Sequence, residues 1–236
     1  MLRYFDRDLS INGMEELAKL FGSEGRVKLM RLFLLNPTQA FDLKDIVERS
    51  RVSKTSARRE INILKNATLI VPISFIKTEP GKKGKPEKKR RVNGFIQNNK
   101  FKYLRELRSI LVDAEFLSQK DILRRFRGVG RIKLFFVSGI FIQDPSSRVD
   151  FLLVGDNLKK QLIDKTIKIL EAEIGKQLSY AVFDTNEFTY RLSMYDKLVR
   201  DILDYPHERL IDTKGLTELA GPGQFTGKVQ VFSDGE

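Results

Sequence analysis

Cysteine is absent from the 236 residues, which excludes disulfides, thiolate metal centres and a cysteine nucleophile together. Histidine is nearly absent as well. The single copy, His207, follows Pro206 near the end of a helical pattern and reads as a solvated turn residue. A histidine zinc site or a histidine-based triad needs partners that this chain does not supply. No apolar run approaches the roughly 20 residues of a membrane span, so no membrane partner is expected. The opening stretch MLRYFDRDLS carries acids and lacks an apolar centre followed by small residues, unlike a secretory signal. The expected compartment is the cytoplasm. No repeat of solenoid length recurs.

What is present is a balance of 41% hydrophobic and 31% charged residues over a length sufficient for two domains. Lysine and arginine total 43 against 31 acids, a net charge of +12. That excess is concentrated. Arg49 to Lys65 holds six basic residues and one acid, Glu60, while Lys77 to Arg91 holds eight and two acids, Glu79 and Glu87. These stretches carry +5 and +6, so the rest of the chain is nearly neutral and the excess is a local device.

Val27, Met30, Phe33 and Leu34 recur at helical spacing over residues 24 to 35, and Asn36-Pro37 stops the helix. A short second helix follows, with Asp42 as N-cap and Leu43, Ile46 and Val47 on one face. Ser53 opens a third. There Ala57, Ile61 and Leu64 form the packing side, and Lys54, Thr55, Arg58, Arg59, Asn62 and Lys65 occupy the remaining surface. The period then becomes that of strands: residues 69 to 76 are β-rich, and Arg91 to Ile96 can return antiparallel across EPGKKGKPEKKR. Three helices followed by a hairpin with a basic tip is the order of a winged helix-turn-helix, here assigned to residues 1–97.

Beyond it, Phe101, Leu104, Leu107, Leu111 and Ala114 share a helical face, and Ser118 to Asp121 resembles a capping box. Ile132 to Ile142 and Val149 to Val154 read as buried strands that pair as a hairpin across Gln143 to Ser147. Asn157 is expected to cap a long helix ending near Gly175, followed by a strand over Leu178 to Phe183. One further helix from Asp184, with Glu187 completing a capping box, is expected to bury Phe188, Leu192, Val199 and Ile202 before Leu210-Ile211. The fold class is α+β: a winged helix, a mixed sheet flanked by helices over 98–212, and a mobile tail over 213–236.

Duplex DNA presents a phosphate charge about every 1.7 Å of axis, and two basic segments that meet on one face suit it. In a winged helix the third helix enters the major groove. Arg58, Arg59, Asn62, Lys54 or Thr55 could reach base edges there, with Lys65 beside them. The wing cations Lys82, Lys83, Lys85, Lys88, Lys89, Arg90 and Arg91 would follow phosphates. A solvated loop is the plainer account of Lys82 to Arg91 alone. The coincidence with a basic helix favours DNA.

The segment FFVSGIFIQDPSSRVDFLLVGDNLKKQL, followed by IGKQLSYAVFDTNEFTYRLSMYDKLVRDIL, resembles the minimal nucleotidyltransferase domains fused behind winged helices in prokaryotic regulators. The resemblance covers about residues 101 to 212. It implies a Gly-Ser pair closing the first strand and holding nucleotide phosphates, two Asp residues one position apart holding divalent metal, and a third carboxylate on a later strand. This chain has Ser138-Gly139 in reversed order, Arg148 in place of the first Asp, Asp150 in place of the second, and Ser179 near the third. The resemblance therefore implies the fold without the metal cluster. Ser138, Gly139 and Asp150 are the candidates for a nucleotide effector, Asp150 is the one catalytic candidate, and Mg2+ is expected only in an active second domain. Asp144 and Asp156 could substitute as ligands after rearrangement; otherwise Asp150 pairs with Arg148 or stands exposed.

The expected function is a sequence-specific double-stranded DNA-binding transcriptional regulator whose inactive nucleotidyltransferase-like domain serves sensing or assembly, with a homodimer using the helix over residues 101 to 117. The alternatives are an active nucleotidyltransferase recruited through its basic half and a non-catalytic scaffold for RNA or an acidic protein.

Overall fold

The computed structural model describes residues 13–79, 87–113, 118–213 and 216, an α+β arrangement of helices with two sheets. The chain divides into two compact units: residues 1–116 with Lys168–Lys176, and residues 117–167 with 177–236. Among the described residues no helix is long and apolar enough to cross a membrane.

The first unit opens with α1 (Gly13–Phe21) and α2 (Glu24–Leu35). Seven residues of α2, from Val27 to Leu34, are buried, so this helix is the centre of the core rather than a half-solvated cover. Its start is fixed by Ser23, whose side chain accepts from the Arg26 N–H. Helix α3 (Leu43–Ser50) starts on the reciprocal capping box of Asp42 and Asp45. A left-handed residue, Arg51, then turns the chain into α4 (Lys54–Asn66), which Ser53 caps. Strands β1 (Ile70–Glu79) and β2 (Lys88–Gln97) pair antiparallel from Ile70 opposite Gln97 to Glu79 opposite Lys88.

Phe41, between α2 and α3, adds a short third rung by exchanging two 2.9 Å backbone hydrogen bonds with Phe95 of β2. This close approach explains Gly94, because a Cβ there would lie 2.3 Å from the Phe41 carbonyl oxygen. The apolar face predicted from Phe101 onward is carried by α5 (Leu104–Arg108) and a following π-turn (Ser109–Asp113). It packs on the core of its own chain, with Leu111 fully buried, so that described part of the expected dimer helix is already covered.

The second unit contains α6 (Gln119–Arg125), β3 (Arg131–Val137), β4 (Phe151–Asp156) and α7 (Lys160–Ile174), whose last turns group with the first unit. After these come β5 (Tyr180–Asp184), α8 (Thr185–Ser193), α9 (Lys197–Asp204) and β6 (Glu208–Asp212). The sheet order is β5-β4-β3-β6, with β3 antiparallel to both neighbours and β4 parallel to β5. The near-continuous apolar runs have the reason inferred from sequence, burial on both faces. Leu134, Phe136, Leu152 and Val154 join a core with Phe188, Leu192, Val199 and Ile202, while Phe126, Phe135 and Phe151 stack edge to face.

Four local expectations change. The first strand ends at Val137 and is followed by a 3-10 turn over Gly139–Phe141, so residues 138 to 142 leave the sheet. The long helix begins at Lys160; Asn157 instead takes a left-handed conformation at φ 52°, which asparagine tolerates better than most residues. The helix from Asp184 is two helices, interrupted at left-handed Tyr195 and restarted by Asp196, which caps α9.

The fourth change concerns His207, which is only 3% exposed. Its ring stacks on Phe136 at 4.5 Å, and its Nδ1 lies 2.8 Å from the Tyr205 carbonyl. Burial lowers its pKa below the usual 6.5, helped by nearby Arg209 and opposed by the Tyr205 hydrogen bond. The unfolded chain therefore takes up this proton at higher pH than the folded chain. Stability is retained above pH 6.5 and lost as pH falls through it. Urea unfolding at pH values about one unit above and one unit below that point should show a lower midpoint on the acid side, and His207→Gln should flatten the difference.

Candidate nucleic-acid interface

Helix α4 divides its residues by side. Ala57, Ile61 and Leu64 enter the core, and Lys54, Thr55, Arg58, Arg59, Asn62 and Lys65 are all exposed. On β2, Lys88, Lys89, Arg90 and Arg91 are exposed too. Lys82, Lys83 and Lys85 lie outside the described residues. The two basic segments share a space: Lys54 from the first turn of α4 and Arg90, Arg91 and Asn93 from β2 line one open cleft of about 640 Å³. Lys44, the acids Asp42 and Glu48, and the apolar Leu43, Val47 and Val92 complete its wall. Lys44 is absent from the sequence-based site, because a lone lysine among acids carries no charge signal.

Several cations of the basic runs have partners in their own chain, which lowers the charge they offer outward. Lys77 bonds Asp42 at 2.8 Å and Asp45 at 2.6 Å. Burial works against the charged forms of Lys77 and Asp42, but their mutual hydrogen bonding outweighs it, raising the lysine pKa and lowering that of Asp42. Arg49 stacks over the Phe41 ring, 5.1 Å from its centroid. Arg59 donates to the buried carboxylate of Glu60, although its own side chain stays 67% exposed. Arg58, Lys54 and Lys65 make no ion pair among the described residues, and their charge is available to a polyanion.

In the second unit the three positions singled out by sequence converge at one end of the sheet. Ser138 follows β3, Asp150 precedes β4, and Ser179 precedes β5. Their backbones join: the Ser138 N–H donates to the Asp150 carbonyl at 2.7 Å, and the Asp150 N–H to the Ser179 carbonyl at 2.6 Å. Asp150 is 8% exposed, with its carboxylate turned inward. Its Oδ1 accepts from the Ile140 N–H at 2.9 Å and its Oδ2 from the Ser179 N–H at 2.8 Å. Gly139, at φ 53°, allows this, since a Cβ there would crowd Asp150 Oδ1. Ser138 Oγ hydrogen-bonds the Pro206 carbonyl and lies 2.8 Å from Ser147 Oγ.

The expected Arg148–Asp150 pair does not form, and Asp150 is not exposed. Arg148 pairs with Asp201 at 3.2 Å, and Asp150 is spent on the backbone donors of Ile140, in the turn after β3, and Ser179, just before β5. The other two acids are engaged elsewhere: Asp156 with Lys133 at 2.7 Å and with Thr185, and Asp144 with the backbone and hydroxyl of Ser146. Among the described residues no three His, Cys, Asp or Glu side chains cluster as a metal site. A magnesium ion wants several anionic oxygens free to face it, and a single carboxylate already accepting on both oxygens does not fit. Asp150 thus has a structural job. Asp150→Ala is expected to cost about 2–4 kcal/mol and Asp150→Asn less, because alanine leaves two part-buried backbone donors without their acceptor, at about 1–2 kcal/mol each; denaturant unfolding measures the difference.

No protein-family model matches this chain, and no curated protein is similar to it at a significant level.

Proposed function

We propose that this chain binds double-stranded DNA through a winged helix-turn-helix made of α2, α3, α4 and the β1–β2 hairpin, and acts as a transcriptional regulator. The observation that carries the reading is the shared cleft, where Lys54 of α4 meets Arg90 and Arg91 of β2 beside the exposed, basic face of that helix. Further support comes from the order of elements, the turn through Arg51 into a Ser53-capped helix, and the Phe41–Phe95 rung that ties the hairpin to the helices. A basic amphipathic helix that buries its apolar side and the ion-paired Glu60, and keeps its cations outside, is free to enter a major groove about 12 Å wide.

The second unit, on this reading, keeps a nucleotidyltransferase-like scaffold and has turned its remaining carboxylate into a sheet-end brace. Its mixed sheet and the convergence of Ser138, Asp150 and Ser179 support the resemblance, and the bonds of Asp150 support a role other than catalysis.

Selection of bound fragments from a random duplex library, followed by gel-shift titration, tests the proposal. A recovered motif with two half-sites is expected, since regulators of this architecture commonly dimerise on two-fold sites. Lys88→Ala with Lys89→Ala should weaken all sequences alike and lower the log–log salt slope by roughly 0.9 for each phosphate that is no longer neutralised. Equal competition by RNA and duplex DNA at physiological salt would favour the scaffold reading instead.

A further inference from the structure

Glu60 is the one acid in the basic stretch Arg49 to Lys65, and it is fully buried. Its Oε2 accepts from Arg26 Nε at 2.9 Å, and its Oε1 accepts from the hydroxyl of Ser23, the N-cap of α2, at 2.9 Å. The same Oε1 accepts from Arg59 Nε at 3.2 Å and from Arg59 Nη2 at 2.9 Å. Burial alone would raise the carboxyl pKa, but the bonds from Arg26, Arg59 and Ser23 overcome it and hold the group ionised. The carboxylate is therefore a fixed anchor, tied to the start of the central helix.

This anchor commits only part of Arg59. A guanidinium has five N–H donors in a rigid fork. With Nε and one hydrogen of Nη2 bonded to Glu60, both hydrogens of Nη1 and the second of Nη2 remain, on a side chain 67% exposed. One hydrogen of Nη1 and the free one of Nη2 form the flat end of the fork, which matches two adjacent acceptors. In the major groove guanine presents such a pair, O6 and N7. The anchor, shared with Arg26, also offsets part of the positive charge of Arg59, which weakens its general attraction to phosphate and leaves its directional hydrogen bonding intact. Arg58 is the opposite case: exposed and without an ion pair among the described residues, it keeps its whole charge and its freedom.

We propose that Arg59, braced by Glu60, is the base-reading side chain of α4 and takes guanine in the major groove, while Arg58 serves the phosphate backbone. This assignment rests on the duplex-binding reading above. Glu60 acts through Arg59 and is a positioning residue, a role that a buried network holding a ligand-facing side chain commonly fills.

The test uses the full-length chain and fluorescence anisotropy on three kinds of labelled duplex: the selected site, the same site with each guanine in turn changed to adenine, and a random sequence. Arg59→Lys keeps the charge and removes the fork. It should lower affinity for the selected site by about 5- to 150-fold, the usual weight of a bidentate bond to a base, leave the random duplex and the salt slope unchanged, and abolish discrimination at one guanine. Glu60→Gln, checked for folding by far-UV circular dichroism, should abolish discrimination at that same guanine. Arg58→Ala should instead weaken binding to every duplex together and reduce the salt slope. Arg59→Lys with undiminished discrimination, or with equal weakening on all duplexes, overturns the assignment while leaving duplex binding in place. Wild-type protein that prefers no duplex overturns the underlying reading and this assignment with it.

Discussion

Reversing charge at Lys54 and Arg58 together, to glutamate, is expected to abolish duplex binding at about 0.15 M salt, a weakening of at least about a hundredfold. Both residues are exposed on α4 and neither has an ion pair among the described residues, so their charge is not already compensated. Each phosphate left unneutralised takes about 0.9 from the salt slope, so the pair should reduce it by about 1.8 before any new repulsion is counted. Arg59 is left unchanged because a glutamate there would face buried Glu60 and confound binding with stability. Anisotropy titrations from about 50 to about 200 mM salt give both quantities. Affinity close to that of the wild type, in a variant with unchanged circular dichroism, would mean that this face of α4 does not meet DNA.

The largest stability effect is expected at Arg31. This arginine of α2 is 1% exposed, and its Nε and Nη1 donate to the Leu111 and Glu173 carbonyls at 2.8 and 3.0 Å. Burial pushes its pKa down to about 10, with the charge of Glu173 opposing the fall, so it stays protonated at neutral pH. Within the first unit it therefore ties the central helix both to the turn after α5 and to the end of α7. Arg31→Ala should destabilise by about 3–5 kcal/mol, through a cavity and the loss of the arginine donors to one buried and one part-buried carbonyl. Arg31→Met refills the volume but not the donors, and should recover about half. A urea series for both variants separates the two contributions; Arg31→Met as stable as wild type would show that the carbonyls find other donors.

Much of the first unit is legible in the sequence because its signals are local. The caps Asp42 and Ser53, the apolar spacing of α4 and the β-rich run after it depend on neighbours within about a helical turn, and each recurs as an element. Helix α1, of 9 residues, is not among the elements read from the sequence, although Met14, Leu17 and Phe21 share a face. Asp184 also signals its helix correctly, yet the break at Tyr195 is hidden: a left-handed tyrosine is not a sequence signal for a turn.

Side-chain partners are far less legible. Lys77 reads as one more cation of the hairpin, and only the fold sets Asp42, 35 residues away, beside it. Glu60 reads as a lone acid on a basic surface, yet Ser23 and Arg26, at separations of 37 and 34 residues, make it the centre of a network. Asp150 reads as the remnant of a metal site, and the backbone donors of Ile140 and Ser179 give it a different use.

Composition and periodicity by themselves determined the α+β class, the absence of cysteine chemistry, the concentration of positive charge in two segments and the side of α4 that packs. These follow from transfer of apolar groups out of water and from local backbone hydrogen bonding, which neighbouring residues decide. Tertiary structure alone decided which charges remain available, which are spent on the chain's own acids, and where His207 lies. Electrostatic and hydrogen-bonded pairing depends on separations of a few ångströms between residues distant along the chain, and only the folded backbone sets those separations.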